Sequence, residues 1–223
     1  MNPLEIRKAT IARSGQTLIA DLNLRVEPGE VLTLMGVSGS GKSTLLNWII
    51  GALDPAFEAH GELRIGGERR DGLPIELRRI GILFQDDLLF PHLSVGQNLA
   101  FALLAKVQGK GARRRLIEDT LADVGLAGFF ERDPATLSGG QRARVSVLRA
   151  LLAEPDALLL DEPFAKLDAV LRDQFRSFVF ERIARLAIPA LLVTHDPDDV
   201  PAGGRVIEIS EFSKFSIGEV RDA

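Results

Sequence analysis

Residues 36–44 read Gly-Val-Ser-Gly-Ser-Gly-Lys-Ser-Thr, set between an apolar run, Val31–Met35, and a helical pattern that opens at Lys42 and runs to Ile50. The pattern G-x-x-x-x-G-K-[ST] is the Walker A loop, in which glycines let backbone N–H groups wrap a chain of phosphates. Gly36, Val37, Ser38, Gly39, Ser40, Gly41, Lys42, Ser43 and Thr44 are therefore the candidate nucleotide contacts. Lys42 would reach the β- and γ-phosphates, the Ser43 hydroxyl would ligate Mg²⁺, and the new helix adds its positive end. A glycine-rich turn of no consequence would not need both the buried strand before it and the helix after it. The loop commits the chain to a strand–loop–helix unit, and with it to an α/β core.

Further along, Leu18 to Val26 read as strand, turned at Glu27-Pro28-Gly29-Glu30, and Val31–Met35 reads as a strand buried on both faces. Residues 61–84 suggest short strands, with Gly66-Gly67 as a hairpin signal and Ile80–Phe84 as a second buried strand. From about 86 to 153 the period turns helical: Leu99–Val107, Ala112–Val124 and Gly139–Ala153 are the expected helices. Strands return at Ala157–Leu160 and Ala190–Thr194, with a helix between them over Ala169–Leu186. The expectation is a mostly parallel α/β core interrupted by helices.

Composition narrows the function. A net charge of −4 gives no sign of a nucleic-acid partner, and the absence of cysteine excludes disulfides, thiolate metal sites and a cysteine nucleophile. The N-terminus lacks the apolar stretch of a secretory signal and no apolar run reaches about 18 residues, so a cytosolic chain is expected.

Three strand ends carry polar groups. Asp161 closes Ala157–Leu160 and suits the Walker B role of holding Mg²⁺; Glu162, next to it, is placed to take a proton from water attacking the γ-phosphate. Gln85 and His195 follow the strands 80–84 and 190–194, on the edge where such sheets bind ligands. Taken alone, Gln85 reads as a loop residue and His195 as a satisfied structural histidine. A second anion-type turn stands at Ser138-Gly139-Gly140-Gln141, just before a long helix. A helix cap at Ser138 accounts for the helix start but leaves the second glycine and Gln141 without a reason.

In order, GVSGSGKST (36–44), Gln85 within ILFQDDLLFPHLSVGQNLAF, LSGGQ (137–141), LLLDEP (158–163), Leu167-Asp168 and VTHD (193–196) resemble the motif set of an ABC transporter nucleotide-binding subunit over nearly the whole chain. The resemblance implies a P-loop NTPase core with a mostly parallel sheet, an N-terminal antiparallel β subdomain and an inserted α-helical subdomain. The core would occupy 1–85 and 154–223, and the helical signalling subdomain 86–153, with no room for a C-terminal regulatory domain. It implies ATP and Mg²⁺ as cofactors, with Ser43, Gln85 and Asp161 at the metal, Glu162 as catalytic base, and His195 as a switch on the γ-phosphate beside Lys42. Two subunits, expected to be identical, would face head to tail, so that Ser138, Gly139, Gly140 and Gln141 of one close on the ATP of the other, with Asp168 in the loop joining the sites.

A membrane permease would dock a short helix near Gln85, where Phe84, Leu89 and Phe90 are apolar candidates, and a solute-binding protein would complete the system at the cytoplasmic face of the inner membrane. LFPHLSVGQNLAF and DEPFAKLDAVLR resemble importers of the spermidine, iron, sulfate, molybdate and thiamine type, whereas exporters more often carry Thr or Ala at the place of Phe164.

The chain departs from the pattern at three places. No aromatic residue precedes Trp48 to stack on adenine, and Arg13 stands near that position with a planar guanidinium. Lys166 replaces a small residue before Leu167-Asp168, either tuning charge at the interface or pointing to solvent. The run Lys110–Arg115 is either a solvated helix start or an attraction for anionic headgroups. The alternatives are a non-transport ABC-type ATPase and a nucleotide-sensing regulator.

Overall fold

The computed structural model describes residues 2–37, 39–84, 86, 88–103 and 107–212. In chain order the elements are β1 (Leu4–Arg13), β2 (Gln16–Val26), β3 (Val31–Met35), α1 (Lys42–Ile50), β4 (Phe57–Ile65), β5 (Glu68–Arg69), α2 (Ile75–Arg78) and β6 (Ile80–Leu83). There follow α3 (Val95–Ala102), α4 (Lys110–Asp123), α5 (Gly139–Leu152), β7 (Ala157–Asp161), α6 (Ala169–Leu186), β8 (Ala190–Val193) and β9 (Val206–Glu208). Two sheets form, an antiparallel one of order β2-β1-β4-β5 and a parallel one of order β6-β7-β8-β3-β9. The expected phosphate-loop architecture, a mostly parallel sheet with antiparallel strands and helices, is therefore present.

Side chains alternate along a strand, so a strand covered on both faces feeds two cores. Leu159 in β7 and Leu191 and Val193 in β8 pack on the side of β1, β2 and α1. Their neighbours Leu158 and Leu160, with Ala190 and Leu192, pack on the other side against α3, α4, α5 and α6. Phe164 belongs to that second core: it is fully buried, with edge-to-face rings of Phe175 and Phe180 from α6 at 6.3 and 5.9 Å.

Three expectations shift, and one strand was not anticipated. β6 is an edge strand paired with β7 alone, so Ile80, Gly81 and Ile82 are only half-buried and Phe84 lies beyond its end. The stretch taken for short strands contains β4, nine residues long and starting at Phe57, and also the short helix α2. That helix is held by the buried Arg78, which donates to Trp48 O and Ile49 O at the end of α1, both at 2.8 Å. α3 begins at Val95, earlier than Leu99, because Ser94 and Gln97 form a capping box. The edge strand β9 has no apolar alternation to announce it. By contrast α1, ended by Gly51, and α6 have the expected bounds, and α4 and α5 differ from them by one or two residues.

The basic run also has a definite role. Arg113 donates to Ala100 O (2.6 Å) and Val107 O (3.1 Å), and Arg114 pairs with Glu118 and Glu131 while lying 4.3 Å from the Phe130 ring centre. Two of its cations thus fasten α4 to its neighbours.

Candidate functional site

The parallel registers Leu34↔Val193, Asp161↔Val193 and Leu83↔Leu160 bring the C-terminal ends of β3, β8, β7 and β6 to one edge of the sheet. Everything that follows those strands leaves the fold there, where open α/β sheets bind ligands. A cavity of about 260 Å³ opens at that edge, lined by Gly36, Gly39, Gly41, Lys42, Ser43, Thr44, Asp161, Glu162 and His195.

The loop at 36–41 is shaped by close approach as well as by backbone freedom. Gly36 has φ 149°, and a Cβ there would lie 2.6 Å from Ile209 Cγ2. Lys42 is 8% exposed, and its ammonium donates to Gly36 O (2.6 Å) and Val37 O (2.9 Å), with Ser40 Oγ at 3.5 Å. A buried cation held by two backbone carbonyls of the loop is positioned to meet an anion that enters it.

Ser43 donates to Asp161 Oδ2 at 3.1 Å, linking the first turn of α1 to the end of β7. A hydroxyl and a carboxylate converging there are hard oxygen donors of the kind Mg²⁺ prefers. Among the described residues no group of three or more His, Cys, Asp or Glu could hold a metal by itself. That fits an ion that takes one or two protein ligands and completes its shell with phosphate and water. Burial pushes the Asp161 carboxyl above its ordinary pKa, and the Glu162 charge adds to the rise; Ser43 and Lys42 oppose it.

Glu162 has left-handed backbone, φ 48°, and its N–H donates to Val193 O at 2.9 Å. Such strain in a residue other than glycine is common at functional sites. It directs the carboxylate to His195, with Oε1 3.0 Å from Nδ1. A carboxylate at this position favours the tautomer with the proton on Nδ1, which leaves Nε2 for another partner.

The other predicted residues fall elsewhere. Ser138 caps α5: Gln141 N donates to Ser138 Oγ (3.2 Å) and Ser138 N donates to Gln141 Oε1 (2.9 Å). A Cβ on Gly140 would stand 3.0 Å from Leu167 Cδ2 and 3.5 Å from Lys166 O. A cap alone left both residues without a reason; the structure supplies one for each, Gln141 through the capping box and Gly140 through the Leu167 side chain packed against it. Neither Ser138, Gly139, Gly140 nor Gln141 lines the 260 Å³ cavity. Ser38 and Gln85 lie outside the described residues. Lys166 is drawn to Asp86, at 3.6 Å, between two exposed side chains.

Arg13 lies at the turn end of the β1–β2 hairpin, beside Phe57 in register, with its guanidinium carbon 5.3 Å from that ring's centre. The same hairpin brings Leu18 to within 3.0 Å of a Cβ placed on Gly41. Phe57 was invisible to a search for aromatics before Trp48, because it comes from a later strand. Two exposed apolar groups were also missed, Leu88 (58% exposed) and Phe101 (73%), flanking Phe90. An apolar residue at a helical period signals core, and only the fold shows which of these face outward.

Loop, strand-end acids and cavity together define a phosphate-loop nucleotide-binding protein. Residues 19–165 match the ABC transporter family, and the chain belongs to it. It is 52% identical over 209 residues to the "Uncharacterized ABC transporter ATP-binding protein YnjD" of Escherichia coli (strain K12), covering 94% of this chain and 96% of that one. It is 45% identical to the "Fe(3+) ions import ATP-binding protein FbpC" of Rhizobium etli, covering 92% of this chain and 58% of that longer relative. The ATP-binding cassette MJ0796, solved as a dimer in a post-hydrolysis state with ADP and Pi, superposes with a TM-score of 0.77 at 28% identity. That match covers 88% of this chain and 89% of the other. The chain is thus an ABC transporter ATP-binding subunit and an ATPase. Among its described residues no helix is long and apolar enough to cross a membrane.

Proposed function

We propose that this subunit pairs head to tail with a second copy around two Mg·ATP and drives solute import through a separate permease at the cytoplasmic face of the membrane. One observation carries the reading: the Ser138 turn, a helix N-terminus of the kind that suits an anion, does not line the cavity formed by the phosphate loop. A partner's Ser138–Gln141 turn would complete that cavity, presenting a helix N-terminus to the γ-phosphate. In this reading Lys42 and the loop N–H groups hold the phosphates, and Glu162 takes the proton of the attacking water. His195, set by Glu162, offers Nε2 to the γ-phosphate. Ser43 and Asp161 would hold Mg²⁺, with Gln85 as a further ligand. The ion supplies charge neutralisation across the β- and γ-phosphates. Arg13, backed by Phe57, takes the place of the adenine-stacking aromatic.

The helices within 86–153 would form the signalling subdomain, with Leu88, Phe90 and Phe101 on its permease-facing side. Import is supported by the iron-import relatives at 43 to 45% identity. A solute-binding protein follows from that branch.

The test is size-exclusion chromatography with light scattering on Glu162→Gln protein. Mg·ATP should convert monomer to dimer, and adding Ser138→Arg should abolish the dimer while nucleotide still binds. A dimer indifferent to Ser138→Arg would remove the composite-site reading.

A further inference from the structure

The loop that carries His195 is gripped from below by one arginine that the catalytic reading does not use. His195 lies between Thr194 and Asp196, and both neighbours are tied into one network. Thr194 Oγ1 accepts from Asp196 N (3.1 Å) and donates to Asp199 Oδ2 (2.8 Å), so a short hydrogen-bonded ring closes around the histidine backbone. Asp199 is 2% exposed. Its other oxygen takes Arg172 Nε at 2.9 Å and Nη2 at 2.7 Å, and the same Nη2 lies 2.7 Å from Asp196 Oδ2. A single planar guanidinium therefore holds the carboxylates on the far side of the ring, a geometry that lysine's single ammonium reproduces only in part. Arg176, one turn on, adds a contact to the Asp198 carbonyl.

Arg172 stands in the first turns of α6, a helix capped by Asp168, whose Oδ1 accepts from Leu171 N at 3.1 Å. Immediately before that cap, Leu167 packs beside Gly140. The histidine is thereby fastened to the helix that starts beside the Ser138 turn, and not to its own strand alone.

We propose that Arg172 is a positioning residue for His195, holding the Thr194–Asp199 loop so that Nδ1 meets Glu162 and Nε2 faces the phosphate cavity. This rests on the proposed role of His195. Arg172 touches neither nucleotide nor reacting atoms; it acts through the loop. Its loss leaves nucleotide binding intact and slows turnover.

The experiment joins steady-state ATPase kinetics to side-chain NMR of ¹⁵N-labelled protein. The chain has three histidines, so the signals lost in His195→Ala identify the His195 ring. Arg172→Ala should lower kcat by about tenfold or more, with KM for Mg·ATP within about twofold, in the range typical of groups that orient a functional residue. Arg172→Lys should recover part of that loss. Arg172→Ala should also shift or broaden the His195 ring signals while those of His60 and His92 stay in place. Asp196→Ala, which keeps the buried Asp199–Arg172 pair, should reproduce both effects more weakly and serves if Arg172→Ala fails to fold. Unmoved His195 signals, or an unchanged kcat with His195→Ala itself impaired, overturns the proposal. If instead His195→Ala turns over normally, the catalytic reading of His195 fails, and the ring signals alone decide whether Arg172 holds it.

Discussion

Asp161 carries an electrostatic conflict within the cavity. Burial and the neighbouring Glu162 charge raise its pKa, while the Ser43 hydroxyl and Lys42 favour its charged form. A carboxyl that binds its proton more tightly folded than unfolded adds stability below its ordinary pKa and loses that contribution as pH rises through the raised value. Asp161→Asn, which keeps an acceptor for Ser43, should therefore match wild type in melting temperature at acid pH and exceed it near neutrality. Melting curves from pH 4 to 7 check the sign, and a pH-independent difference would remove burial as the cause. Hydrolysis in the same variant should fall by roughly 100-fold or more, because a preorganised charge at the phosphates is lost. The two acids were legible from the sequence because an apolar strand ended on them. The Ser43 contact was not, since it joins groups 118 residues apart. Nor was the Arg172 clamp, for it depends on where a helix and a loop cross.

Two helices in this chain begin with the same device. Ser94 and Gln97 on α3, and Ser138 and Gln141 on α5, each form a full capping box. Replacing either serine by alanine should cost a similar ~1 kcal/mol of stability. Only Ser138→Ala should also reduce turnover, since only that hydroxyl would face a partner's nucleotide. Parallel denaturant titrations and ATPase rates on the two variants separate cap from site; equal turnover in both would leave LSGGQ as a cap alone. Element reading followed the same physics. α1 and α6 were read to the residue, since glycine ends the first and the helical pattern of the second breaks off at both ends. β9 and α2 were not, because a three-residue edge strand and a four-residue helix leave no period to detect. α2 exists through Arg78, a side chain that reads as surface until its carbonyl partners on α1 are seen.

The groups proposed to meet nucleotide lie on three bodies of structure: the hairpin that carries Arg13, the strand ends around Lys42, and the start of α5 that carries Ser138, beside the helix α6 that carries Arg172. A ligand that binds only the folded state stabilises it by mass action, by about 2.7 kcal/mol at a hundredfold excess over Kd. For a chain of this size that corresponds to a rise in melting temperature of roughly 5–10 °C. Wild type should show such a rise with Mg·ATP, and Lys42→Ala should lose most of it. Arg13→Ala should lose a smaller part, and an unchanged shift would take Arg13 out of the base site. In Glu162→Gln protein the rise should also grow with protein concentration, because association then adds to the linkage. A ligand confined to one subunit gives a shift independent of protein concentration. The dependence on concentration therefore distinguishes a cavity closed by a second chain from one closed by its own.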